Sequence, residues 1–207
     1  MRIGILGAGG MADALGTQWI RAGHEVMVAG RDPRRTAERA AAMGARPGTF
    51  AQAAAFGDVA VAAVLAQAAP DVLEAAGPAL RGKPLIDVMN APGVPDRYDA
   101  AQPLAQTVSR LTGAHVVKAF NLCHVDVWRM TPPAFDGRPV AVPLCGDDPA
   151  ALEAARTLVS DLGCTPLHAG RLDRAALLEA TAAFVIGLWF AGADAQAILP
   201  PLTAPAR

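Results

Sequence analysis

Cysteine is scarce in this chain. Its 207 residues hold only Cys123, Cys145 and Cys164, and no two of them form a CxxC pair. An odd, unspaced set argues against a disulfide framework and a cysteine-rich metal site, and it fits a reducing, cytoplasmic setting. Charge of one sign is also missing as a block. The formal net charge is −1 and the cations are dispersed, which speaks against nucleic acid as a partner. No apolar run is long enough to span a bilayer. The most apolar segment, Ala175 to Ala193, is interrupted by Glu179 and Thr181 and falls short of the ~20 residues a membrane helix needs. The N-terminal run Ile3–Leu6 is too short for a signal peptide and leads straight into a glycine turn. There is no Ser-His-Asp set, no HExxH, no paired carboxylate site and no internal repeat. No metal site is expected, and neither nucleic acid nor a membrane is an expected partner.

What is present is a regular alternation. Strands are predicted at Arg2–Leu6, Glu25–Ala29, Asp58–Leu65, Pro84–Met89 and His115–Phe120, and further strands at 140–145 and Thr165–His168. Between them the sequence predicts helices at Met11–Ala22, Pro33–Met43, Pro70–Leu80, Gln102–Leu111, Pro149–Leu162 and about Leu172 to Ala193. Gly23 and Gly44 close the first two helices, and Asp148 with Pro149 opens the fifth. Residues 91–102 read as a loop and Pro200–Arg207 as a loose tail. Strands alternating with helices imply a doubly wound parallel sheet of the Rossmann type, covered on both faces. The expected division is a dinucleotide-binding domain at 1–138 and a small α/β extension at 139–207 packed on it, ending in an apolar helix. Apolar residues surround that closing helix, so it predicts a homodimer interface.

The turn after the first strand is Gly7-Ala8-Gly9-Gly10-Met11-Ala12, a G-x-G-x-x-A. Gly7 permits the tight bend, Gly9 lets a pyrophosphate approach the backbone, and Ala12 lets helix and strand pack closely. The helix start then offers free N–H groups and a partial positive charge to phosphates. A glycine turn that merely links strand to helix is the plainer alternative.

One element of that fingerprint is missing. A protein that binds NAD usually ends its second strand in an acid that accepts hydrogen bonds from the ribose. Here the stretch is "VAGRDPRR", and Gly30 and Arg31 stand in that place. Gly30 removes the charge that would repel a 2′-phosphate, and Arg31 supplies a planar guanidinium matched to one. Arg35 adds positive field, while Asp32 is placed to cap the helix that starts at Pro33. The pattern points to NADPH over NADH. Ligands of such sheets bind at the C-terminal strand ends, which singles out Val64-Leu65-Ala66, Met89-Asn90-Ala91 and Phe120-Asn121-Leu122, with Val64, Leu65, Asn90 and Asn121 as the contact candidates. For each asparagine a turn-forming role explains the residue equally well. His124 follows closely and is a candidate donor to a bound ring, so Asn121 and His124 are the catalytic candidates. Cys123 reads as a packing residue.

Four stretches resemble a known family: "MRIGILGAGGMADALG" with "GHEVMVAGRD", "VVKAFN" at 116–121, "VPLCGDDPAALEAARTLVSDLGCTPLHAGRL" at 142–172, and the apolar closing helix. They resemble the coenzyme F420-dependent NADP oxidoreductases and the related oxidoreductase domain of the STEAP metalloreductases. The resemblance implies an enzyme in which hydride passes between NADP(H) and a deazaflavin or flavin stacked on the nicotinamide. It implies that the backbone of Ala8, Gly9, Gly10 and Met11 holds the pyrophosphate, Gly30 and Arg31 the 2′-phosphate, Val64 and Leu65 the nicotinamide ribose side, and Asn121 the ring. It also implies that the last helix joins a dimer. "LCHVDVW" departs from the family pattern and leaves the acceptor open. Two other readings stand beside this one: a reductase of a small carbonyl or imine, and a non-catalytic NADP(H)-binding or sensing module. The remaining ~60 residues are short for the helical domain that the carbonyl and imine reductases add.

Overall fold

The computed structural model describes residues 1–91, 99 and 101–198. The loop expected at 91–102 lies mostly outside the described residues, and the tail expected at Pro200–Arg207 lies wholly outside them. The strands are β1 (Arg2–Leu6), β2 (Glu25–Ala29), β3 (Arg46–Gly48), β4 (Val59–Ala62), β5 (Pro84–Asp87), β6 (His115–Lys118), a short hairpin of β7 (Ala134–Phe135) and β8 (Arg138–Pro139), then β9 (Ala141–Gly146) and β10 (Thr165–Gly170). The α-helices are α1 (Gly10–Arg21), α2 (Pro33–Met43), α3 (Phe50–Phe56), α4 (Ala69–Ala76), α5 (Leu104–Thr112), α6 (Pro149–Asp161) and α7 (Ala175–Phe190).

Eight strands form one sheet in the order β10-β9-β6-β5-β4-β1-β2-β3. The six on the β3 side are parallel and follow the 3-2-1-4-5-6 order of a doubly wound dinucleotide fold. The strand order reverses between β1 and β4, so the loops leaving their C-terminal ends part there and open a crevice. The sheet is not parallel throughout. β9 runs antiparallel to β6, pairing Val117 with Gly146 and Lys118 with Cys145, and β10 runs parallel to β9. The C-terminal strands therefore extend the same sheet rather than forming one of their own.

Alternate side chains of the central strands feed two cores. Ile3, Ile5, Val26, Val28, Val61, Ile86 and Val117 pack under α1, α2 and α6. Leu6, Ala29, Ala60, Ala62, Leu85 and Val116 pack under α3, α4 and α5. This two-sided burial is what makes the strands read as continuous apolar runs. Small residues set the spacing. A Cβ on Gly4 would collide with the backbone of Ala53, so α3 lies directly on β1.

The helices start where the chain supplies acceptors. Asp32 accepts from the Arg35 N–H at the head of α2, and Asp148 accepts from the Ala151 N–H at the head of α6, each followed by proline. Thr49 and Gln52 form a reciprocal capping box that starts α3. Neither α3 nor β3 was expected from the sequence. Their alanine-rich segment carries no clear period, although the Thr49-x-x-Gln52 pattern marks its start. The closing helix is shorter than the predicted Leu172–Ala193 and is preceded by a 3-10 turn at Leu172–Arg174. Ala175, Glu179, Ala182 and Ala183 face the protein, whereas Leu177, Phe184, Trp189 and Phe190 are exposed. Among the described residues no helix is long and apolar enough to cross a membrane.

Candidate dinucleotide cleft

The crevice at the switch point is a cleft of about 1100 Å³. Its floor is the glycine turn between β1 and α1. Gly7 has φ +136° and donates its N–H to the Ala29 carbonyl at 2.8 Å, and a Cβ there would strike the Ala63 carbonyl. The turn is thus fixed against both neighbouring strands, in a conformation that favours glycine. Gly9 is the N-cap of α1 and has no side chain with which to cap it. A Cβ at Gly9 would meet nothing within 4 Å, so the space above this backbone is open. The N–H groups of Gly10, Met11 and Ala12 precede the first intrahelical bond, which Asp13 makes to Gly9. Ala12 is buried between helix and sheet.

One end of the cleft is cationic. Gly30, Arg31, Asp32, Arg35, Thr36 and Arg39 line it. Arg34 points elsewhere and pairs with Glu38 at 3.1 Å. Among the described residues, Arg31, Arg35 and Arg39 have no carboxylate partner, so three guanidinium groups remain available on this wall. Asp32 does not neutralise them by a direct bond, because its Oδ1 is engaged in capping α2. Gly30 sits where a Cβ would lie 2.5 Å from Thr36 Oγ1 and 3.2 Å from Ala8 Cβ. The position is closed to any side chain as long as Thr36 holds its hydroxyl bond to the Asp32 carbonyl.

The other end is apolar. Val64, Leu65, Ala66, Val88, Met89, Asn90, Ala91 and, from α7, Ile186 form it. Leu65 is 70% exposed, an apolar surface held open at the rim. No ionisable side chain among the described residues lines this end. Asn90 and Asn121 are cross-linked: Asn90 Nδ2 donates to the Asn121 carbonyl at 3.3 Å, and Asn121 Nδ2 donates to Asn90 Oδ1 at 3.2 Å. Asn121 also donates to the Leu178 carbonyl at 3.1 Å and is buried. Asn90 therefore faces the cleft while Asn121 stands behind it. Phe120, just before, holds φ +60° and is clamped edge-on between Trp19 and Trp128. Such a conformation in a bulky residue survives only where packing enforces it, and here it aims the chain back toward Asn90.

The structure thus brings Gly7, Ala8, Gly9, Gly10, Met11, Gly30, Arg31, Arg35, Val64, Leu65 and Asn90 to one cleft. His124 is not on its wall. It is exposed, with Nδ1 3.3 Å from Asp126 Oδ2. Arg129 bridges Asp126 and Asp13, at 2.7 and 3.2 Å, and so ties this loop to the first turn of α1. Met89, at a strand end that the sequence marks, joins the site, and so do Thr36, Arg39 and Ile186, which the sequence did not single out. Arg39 follows Arg31 and Arg35 at steps of four, which is a helix-face signal. Ile186 reaches the cleft only through the tertiary fold. Burial pushes the Cys123 and Cys145 thiols up and raises Cys164 to about 11, so none of the three is primed as a nucleophile. No group of three or more possible metal ligands occurs among the described residues.

Residues 2–91 match the family described as NADP oxidoreductase coenzyme F420-dependent. The metalloreductase STEAP3 of Rattus norvegicus is 31% identical over 189 residues, spanning 91% of this chain and 38% of its own length. The chain therefore corresponds to about two fifths of that relative. Among solved structures, a protein of Arthrobacter sp. FB24 assigned as an F420-dependent NADP-reductase superposes with a TM-score of 0.79 at 28% identity, covering 92% of this chain and 95% of that one. A reductive aminase of Aspergillus terreus in complex with NADPH superposes at 0.69 with 22% identity, covering 92% of this chain and 62% of that one, which is a likeness of fold.

The open space at Gly9 makes a direct test of the cradle. Gly9→Val is expected to lower the thermal unfolding midpoint only modestly, through the poorer N-cap, because a Cβ at this position meets nothing within 4 Å. It should abolish binding of a dinucleotide by filling the approach to the α1 amides. Differential scanning calorimetry and a fluorescence titration on the same sample check both halves.

Proposed function

We propose that the chain, whose residues 2–91 match the coenzyme F420-dependent NADP oxidoreductase family, is an NADP(H)-dependent oxidoreductase whose second substrate is a deazaflavin or flavin-type ring. The observation that carries this reading is the division of the cleft: among the described residues, three guanidinium groups without a carboxylate partner line one end, and an apolar wall without ionisable side chains forms the other. The dinucleotide supplies the hydride chemistry, and the protein supplies position and field.

The residues fit that dinucleotide. The amides of Gly10, Met11 and Ala12 and the bare backbone of Gly9 receive the pyrophosphate. Arg31, with Arg35 and Arg39 behind it, receives a 2′-phosphate, and Gly30 keeps carboxylate charge away from it. Pyrophosphate over α1 and adenosine at the end of β2 leave the ring to lie toward β4 and β5, beside Val64, Leu65, Met89 and Asn90. Transfer between two stacked rings needs alignment and exclusion of water but no proton relay. The apolar wall offers these, and Leu65 presents its exposed face to a flat partner. A carbonyl or imine substrate calls instead for a proton donor, and the described wall has none. The exposed Leu177, Phe184, Trp189 and Phe190 of α7 support a second copy of this chain as the partner that covers them.

Three outcomes are expected. Arg31→Ala should weaken NADPH roughly tenfold and leave NADH unchanged, as isothermal titration would read; equal effects on both would remove the 2′-phosphate assignment. With NADPH present, a deazaflavin or flavin should be reduced and a panel of carbonyl and imine compounds should not. Turnover of a carbonyl or imine without any flavin would instead support that alternative, and tight NADPH binding with no turnover of any acceptor would support a sensing module. Sedimentation velocity should report a dimer that Phe184→Asp converts to a monomer.

A further inference from the structure

Three buried charges lie behind the apolar end of the cleft. Asp87 ends β5, Lys118 ends β6 and Glu179 lies on the inner face of α7, each with 0% exposure. Lys118 Nζ is 3.1 Å from Asp87 Oδ2 and 3.3 Å from Glu179 Oε1. Well-packed apolar residues generally hold a core as well as or better than buried ions, so stability alone does not account for the trio.

Its hydrogen bonds show what it holds. Asp87 Oδ1 accepts from the Met89 N–H at 2.9 Å, and Lys118 donates to the Met89 carbonyl at 2.5 Å. Both backbone groups of Met89 are thus fixed by side chains, at the point where the chain leaves β5 and turns into the cleft. Glu179 accepts from the N–H groups of Leu104 and Ala105 at 2.8 and 2.9 Å. These are the first residues of α5, which follows Pro103 and has no local cap. Burial pushes the Asp87 carboxyl up, and the Lys118 ammonium opposes that shift. With a donor facing both oxygens, the geometry is that of the ionised group. Glu179 and Ile186 are seven residues apart, two helical turns, and so share a face of α7. Ile186 lines the cleft, and the neighbouring Leu178 carbonyl accepts from Asn121.

We infer that Glu179 is a positioning residue for the ring-bearing end of the dinucleotide. Through Lys118 it fixes the Met89–Asn90 turn, and through its own helix it sets Ile186 against the cleft. The inference rests on the dinucleotide reading above. It gives α7 a second role besides any contact with another copy: its register determines the shape of the far wall.

Two ligands separate this role from general support of the fold. Adenosine 2′,5′-bisphosphate engages only the end around Arg31, whereas NADPH engages both ends. Glu179→Gln keeps the side chain's size and one acceptor while removing its charge. The variant is expected to bind NADPH roughly tenfold more weakly than wild type and the bisphosphate within twofold of it. Equal losses for both ligands, or no loss for NADPH, overturn the inference. The wild-type protein gives a reading that needs no variant. In hydrogen exchange, NADPH should protect the Leu104 and Ala105 amides and α7 beyond what the bisphosphate does, and equal protection by the two overturns the inference. If neither ligand binds the wild-type chain, the dinucleotide reading itself falls, and this inference with it.

Discussion

The first turn of α1 leaves backbone N–H groups without acceptors among the described residues, and much of the molecule serves to keep them so. Gly9 offers no side chain to cap them. Gly7 is bonded to β2 and pressed against the end of β4, so the turn cannot fold over its own amides. The strand order parts at this point, which leaves the helix end facing a crevice rather than another layer of protein. An orphaned donor in a core would be a cost. At the mouth of a cleft it is a standing demand for an anion.

From that anchor the cleft runs in two directions with opposite character. Toward β2 it meets charge, which fixes the identity of one end of a ligand by electrostatics. Toward β5 it meets hydrocarbon and a pair of cross-bonded amides, which fix a flat ring by shape. The proposed function thereby assigns recognition and reaction to different ends of one groove. The family match over residues 2–91 is consistent with a dinucleotide in this groove, and the second substrate is the part that the proposal supplies.

The first βαβ unit was legible in the sequence almost to the residue. β1, β2 and α2 fall where expected because each boundary has a local chemical cause: the glycine turn, the Asp32 cap, Pro33, and Gly44 at φ +79°. The cationic wall was legible for the same reason, since Arg31 and Arg35 lie next to the strand end that places them. Legibility fell where distant parts of the chain decide. The segment holding β3 and α3 is mostly alanine, and only packing on Gly4 and edge pairing with β2 give it form. The reversed direction of β9 depends on how the hairpin of β7 and β8 turns the chain, and no local pattern announced it. Lys118 read as a strand residue and Glu179 as an interruption in an apolar helix. Their meeting, across 61 positions, is visible only in three dimensions.

The crowding around Gly30 bears on how such a protein changes its preference over time. Exchanging one nicotinamide cofactor for the other would ordinarily begin with an acid at this position. Here the acid has no room while Thr36 and Ala8 stand where they do. Thr36 would first have to give up its hydroxyl bond to the Asp32 carbonyl or be replaced by a smaller residue. A lineage carrying this pair of contacts is held on one side of an adaptive step by sterics rather than by charge.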